Sequence, residues 1–98
     1  MRRIFLDPYV LDTLLPDLVG HDRRPSAFLV YLYLLGQTSD GRRPHVAQSL
    51  QTIATRTGLS KSAVQSAIRH LKHRGLLDPS VQATVTHPCQ KVMKPWER

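Results

Sequence analysis

The sequence predicts a mainly α domain with a small β-hairpin, preceded by one extra N-terminal helix. Two capped amphipathic stretches, 50–57 and 60–74, meet at Gly58-Leu59-Ser60. After Gly75, a turn-punctuated segment runs to Val92-Met93-Lys94 and has the composition of a hairpin. Ahead of both, Asp7-Pro8 opens a stretch with apolar residues at helical spacing.

In chain order, Met1-Arg2-Arg3 leads into the apolar patch Ile4-Phe5-Leu6. Asp7 then caps a helix whose first position is Pro8, where a missing N–H costs nothing. Val10, Leu11, Leu14 and Leu15 line one face, and Pro16 is expected to end or kink the helix. Residues 17–24 read as a connector. From Ser26, Ala27-Phe28-Leu29-Val30-Tyr31-Leu32-Tyr33-Leu34-Leu35 is apolar nearly all round, the mark of the most buried helix. Gln37-Thr38-Ser39-Asp40-Gly41 supplies turn formers to stop it.

A short strand is expected around His45-Val46-Ala47. Ser49 caps the next helix, because its hydroxyl accepts from an orphan backbone N–H. Leu50, Ile53 and Ala54 share its inner side. Gly58 stands where the chain must enter the left-handed region, and Leu59 plugs the corner. Ser60 caps the following helix, with Val64, Ala67, Ile68 and Leu71 as its buried stripe. Leu76-Leu77 begins a strand that Pro79 interrupts. Val81 and Val85 share one side of an alternating segment reaching Thr86, Pro88 lies near the tip, and Val92-Met93-Lys94 returns antiparallel. Trp96 is placed to pack back on the core. Tyr9, Tyr31, Tyr33, Phe5, Phe28 and Trp96 read mainly as core rather than as stacking platforms for single strands.

The chain has 98 residues, which fits one domain, with 1–24 as an N-terminal extension and 25–95 as the core. A core is feasible at this length, but a deep catalytic cleft is not. The single Cys89 excludes an internal disulfide. With no signal peptide and no long apolar span, the expected location is cytoplasmic, away from any membrane. The net charge of +7 is lopsided: residues 1–40 hold four Arg against five Asp, and 41–98 hold ten Lys and Arg against Asp78 and Glu97. No acid stands between Arg42 and Leu77. That is the electrostatic footprint of a polyanion binder.

The outward residues of the 60–74 helix suit the major groove of duplex DNA. Lys61, Ser62, Gln65, Ser66 and Arg69 are the candidate base readers, since Gln matches adenine and Arg matches guanine bidentately. Arg42, Arg43, Gln48, Thr52, Arg56, Ser60, Lys72, His73, Lys91 and Lys94 are candidates for phosphate, which fixes register without reading sequence. His70, His73, His87 and Cys89 have zinc-ligand chemistry but do not read as a site, for their spacings are wide and helix and hairpin tip need not meet. No catalytic residue, metal or cofactor is assigned, because nothing builds a nucleophile with an oxyanion hole.

Residues 49–77, ending in Arg69-His70-Leu71-Lys72-His73-Arg74-Gly75-Leu76-Leu77, resemble the winged helix-turn-helix of small bacterial transcription regulators. Pro25-Ser26-Ala27-Phe28-Leu29-Val30-Tyr31-Leu32-Tyr33-Leu34-Leu35 is similar to the first core helix of that family. The resemblance implies a sequence-specific, nucleoid-associated regulator with helix 60–74 in the major groove and the wing on a flanking phosphate or minor groove. Homodimerisation through Ile4 to Leu15 fits the surplus of apolar residues there. The chain departs from the family pattern at His70, Lys72 and His73, which replace the usual acid, and in a wing with two prolines and a cysteine. The alternatives are a protein-interaction winged-helix module and a DNA-binding component of a replication or mobile-element system.

Overall fold

The computed structural model describes residues 3–38, 44–84 and 86–97. Helices α1 (Pro25–Gln37), α2 (Leu50–Thr57) and α3 (Lys61–His73) enclose the core, with strands β1 (His45–Val46) and β2 (Gln90–Lys91) at one side. The expected fold class, mainly α with a small antiparallel β element, is what the chain adopts, and its order is consistent with the winged form. Tyr31, Leu34, Val64, Leu71, Leu77, Val10 and Leu18 are fully buried, so extension, helices and sheet share one core.

The local signals for α2 and α3 act as the side chains require. Thr52 N–H donates to Ser49 Oγ at 3.1 Å, and Ala63 N–H donates to Ser60 Oγ at 3.1 Å. Gly58 sits at φ +80°, and its N–H donates to the Ala54 carbonyl at 2.9 Å, closing α2. The predicted stripe Val64, Ala67, Ile68 and Leu71 is the buried face of α3.

The extension departs from expectation. Pro16 does end the first helical segment, Val10–Leu14, but it starts a second one, Pro16–His21, in place of the expected connector. Residues Val10–Leu14 and Pro16–His21 are wound as π-helix, in which the N–H of Leu15 reaches Val10 and that of Asp22 reaches Asp17. Pro16 holds the first position of that second segment, where its missing N–H would have no partner in any case. The connector is therefore only Asp22 to Arg24, and Arg23 turns it in the left-handed region at φ 55°.

The sheet pairs β1 with β2 antiparallel, His45 opposite Lys91 and Val46 opposite Gln90. Leu77 bridges to Val92 on the other edge, and Met93 N–H donates to the Leu76 carbonyl at 3.0 Å. The return strand thus starts at Gln90, two residues before the expected Val92. The alternating strand expected from Val81 is absent: residues 81–84 are irregular, and Val85 lies outside the described residues. Asp78 explains this, because its carboxylate accepts from Ser80 N–H at 2.8 Å and Ser80 Oγ at 2.7 Å, turning the chain away from β2. Those two bonds hold the Asp78 carboxyl below the usual carboxylate range.

Trp96 packs against Tyr9 with ring centroids 5.7 Å apart, pinning the C-terminal end to the extension. Tyr31 donates its hydroxyl to the Met93 carbonyl at 2.7 Å, and burial pushes its ionisation far up. Phe5 is the exception among the aromatics assigned to the core, at 77 % exposed.

Candidate nucleic-acid interface

α3 presents its exposed stripe between two sets of tethers. On one flank, Lys72 Nζ donates to the Val81 carbonyl at 3.1 Å, joining the helix to the wing. On the other, His70 Nε2 meets Asp22 Oδ2 at 2.7 Å, Arg74 pairs with Asp17, and Arg74 Nε lies 3.4 Å from Asp22. Arg24 also donates to Ser66 Oγ at 3.3 Å. Between these flanks Lys61, Gln65, Arg69 and His73 are exposed and, among the described residues, have no hydrogen-bond or ion-pair partner. Ser62 is exposed beside Ser60, their hydroxyls 3.3 Å apart.

A groove of ≈ 420 Å³ runs between this stripe, the start of α2 and the wing. Lys61, Gln65, Arg69 and Lys72 form one wall, Ser49 and Gln51 the second, and Gln82 and Thr84 the third. A polar groove with cations on one wall and two helix starts close by attracts an anion or a base edge. The wing itself carries no Lys or Arg from Asp78 to Gln90, so its lining is polar but uncharged.

Of the expected base readers, Lys61, Ser62, Gln65 and Arg69 are exposed on α3. Ser66 is half-buried and bonded to Arg24, against the expectation of a free outward group. Of the expected phosphate contacts, Thr52 and Arg56 are exposed on α2, and Ser60 and His73 stand at opposite ends of α3. Three others have internal partners, which corrects their reading as free groups. The flexible stem of Lys72 reaches the wing carbonyl. Gln48 accepts from the Tyr33 hydroxyl at 2.6 Å and donates to Gln37 at 3.4 Å. Lys94 lies 4.0 Å from Glu97, beyond β2. Lys91 is half-buried on β2 and faces Asp78 electrostatically. Arg42 and Arg43 lie outside the described residues.

Sequence reasoning missed the wing residues Gln82, Thr84 and Gln90 on the groove, since nothing in their spacing signals it. Gln90 is buried, and its Oε1 has no hydrogen-bond partner among the described residues. It also missed the Asp17 and Asp22 tethers. Two of the three histidines of the zinc alternative have other partners: His70 turns to Asp22, and His87 Nδ1 lies 3.2 Å from Thr86 Oγ1. Asp17, His21 and Asp22 bring ligand-type atoms within 4.8 Å of one another, but both carboxylates already face His70 or Arg74.

No curated protein and no solved structure matches this chain. A family model described as a helix-turn-helix domain matches residues 24–77, from just before α1 through the first sheet residue after α3. The extension that holds Asp17 and Asp22 precedes the matched segment. The match spans more than half of the chain, and the protein belongs to the helix-turn-helix domain family.

Proposed function

We propose that the protein binds double-stranded DNA in a sequence-specific manner, as a transcriptional regulator, with α3 in the major groove. The observation that carries this reading is the exposed set Lys61, Gln65 and Arg69, without side-chain partners among the described residues, on a helix capped by Ser60 and tethered at its sides. Cationic and amide side chains with no internal partner, on an element of groove-fitting width, are suited to base edges. Thr52, Arg56 and Ser60 supply contacts to the flanking backbone, together with Arg42 and Arg43. The uncharged wing reaches a minor groove through Gln82 and Thr84 rather than neutralising phosphate. The role is that of a binding module, without chemistry of its own, acting where DNA is packaged in the cytoplasm.

Self-association through the extension is part of the same reading. Phe5, Ile4, Leu11 and Leu15 stay exposed there, although Val10 and Leu14 are buried in the core. Such an apolar face suits a two-fold partner copy, and two-fold symmetry suits a paired operator.

The test is selection from random duplexes followed by salt titration of the winner. Neutralising about five phosphates predicts a log–log slope of about −4 to −5. A slope near zero, or no binding at low salt, removes duplex DNA as the partner.

A further inference from the structure

We infer that Asp22, outside the matched helix-turn-helix segment, is a specificity-determining positioning residue that, with Asp17, withholds His70 and Arg74 of α3 from DNA. This rests on the reading of α3 as the DNA-reading helix and says what bounds its basic surface.

α3 has cationic or protonatable groups at Lys61, Arg69, His70, Lys72 and His73, and Arg74 is its C-cap. Nothing in that list distinguishes readers from bystanders. The geometry does. His70 and Arg74 lie four residues apart, on the flank opposite the groove, and both turn to carboxylates of the extension. Asp22 is only 7 % exposed at its side chain and gathers His70, His21 and Arg74 at 2.7, 2.9 and 3.4 Å. Its main chain is held by the extension, since Asp22 N–H donates to the Asp17 carbonyl at 2.9 Å. Four of the chain's seven acids are Asp7, Asp12, Asp17 and Asp22, all in this extension, yet only Asp17 and Asp22 face α3.

The consequence is twofold. Two points along the last turns of α3 are fixed to a buried anchor, which sets the rotation of the helix about its axis and so the direction in which Gln65 and Arg69 point. The same bonds neutralise Arg74, a guanidinium that could otherwise pair with a phosphate of any sequence. A free Arg74 would add non-specific affinity, which lowers the ratio of specific to non-specific binding.

Asp22→Asn and Asp17→Asn are compared with the unaltered protein on the best duplex from a random-pool selection and on a random-sequence duplex. Asp17→Asn is the variant that keeps the test alive if Asp22→Asn does not fold, because Asp17 is one-third exposed and faces Arg74 directly. The expected result on the random duplex is binding about threefold to tenfold tighter, with a salt slope steeper by about 0.9, one extra phosphate. The selected-to-random ratio is expected to fall about tenfold. Adding Arg74→Gln to either variant should abolish the extra slope, an outcome that a purely structural role for the carboxylates would not produce. Unchanged slope and ratio in the folded variants overturn the proposal while leaving α3 as the reader. Absence of duplex binding by the unaltered protein overturns both.

Discussion

Lys72 and Val81 join α3 to the segment before β2 through one hydrogen bond, Nζ to carbonyl oxygen at 3.1 Å. The wing segment it holds makes no ladder bonds of its own between Val81 and Ala83. That bond ties this segment, which carries Gln82 on the groove, to α3. Replacing Lys72 with Met keeps the stem and deletes the donor. Amide exchange across residues 81–84 is expected to accelerate, with the salt slope of DNA binding unchanged. A slope reduced by about 0.9 would instead make Lys72 a phosphate contact.

Gly58 is expected to be costly to change. At φ +80° no atom lies within 4 Å of the place a Cβ would take, so the penalty is backbone strain alone. Gly58→Ala should cost about 1 kcal/mol and Gly58→Val about 2 kcal/mol. For a domain of this size that lowers the thermal midpoint by about 4–8 °C per kcal/mol. An unchanged midpoint in a melting experiment would contradict the turn.

Gln90 offers a change in the opposite direction. Its buried Oε1 lacks a donor among the described residues, and such a group costs about 1–3 kcal/mol to desolvate. Gln90→Met, similar in shape, should raise stability by about 1 kcal/mol in denaturant unfolding. A loss of stability would show that the amide is satisfied in solution.

Asp22 carries a pH signature whose sign is fixed. Hydrogen bonds from His21 and His70 hold its carboxyl below the ordinary value of 3.8. A depressed carboxylate stabilises the fold above its unfolded value and loses that contribution as pH falls through the folded one. The stability gap between the unaltered protein and Asp22→Asn should be full near neutrality and close as the pH drops below 3.8. A gap that persists undiminished in acid would separate Asp22 from the fold's acid sensitivity.

The parts legible from sequence are those decided within a few residues. Ser49 and Ser60 cap because the hydroxyl and the N–H it serves are three positions apart. The stripe on α3 follows from spacing alone. Pro16 marks the end of one helical segment, but the sequence does not show that a second follows, because proline is equally suited to a first helical position. The absence of the strand expected from Val81 is not legible, because Asp78 takes Ser80 and Lys72, nine residues before Val81, takes its carbonyl. Gln48 reads as a free polar side chain until Tyr33 is seen to donate to it, and His70 until Asp22 arrives from 48 residues upstream. Long-range partners of polar groups leave no periodic trace.

The most direct measurement of the central claim is the affinity of the combined Lys61→Ala, Gln65→Ala and Arg69→Ala variant for the selected duplex and for a random one. These three side chains are exposed and alanine favours helix, so the melting curve and sedimentation behaviour should stay as they are. Preference for the selected duplex should fall by at least about 2 kcal/mol, close to no discrimination. A folded variant that still prefers the selected duplex as strongly as the unaltered protein would place the reading surface elsewhere than on α3.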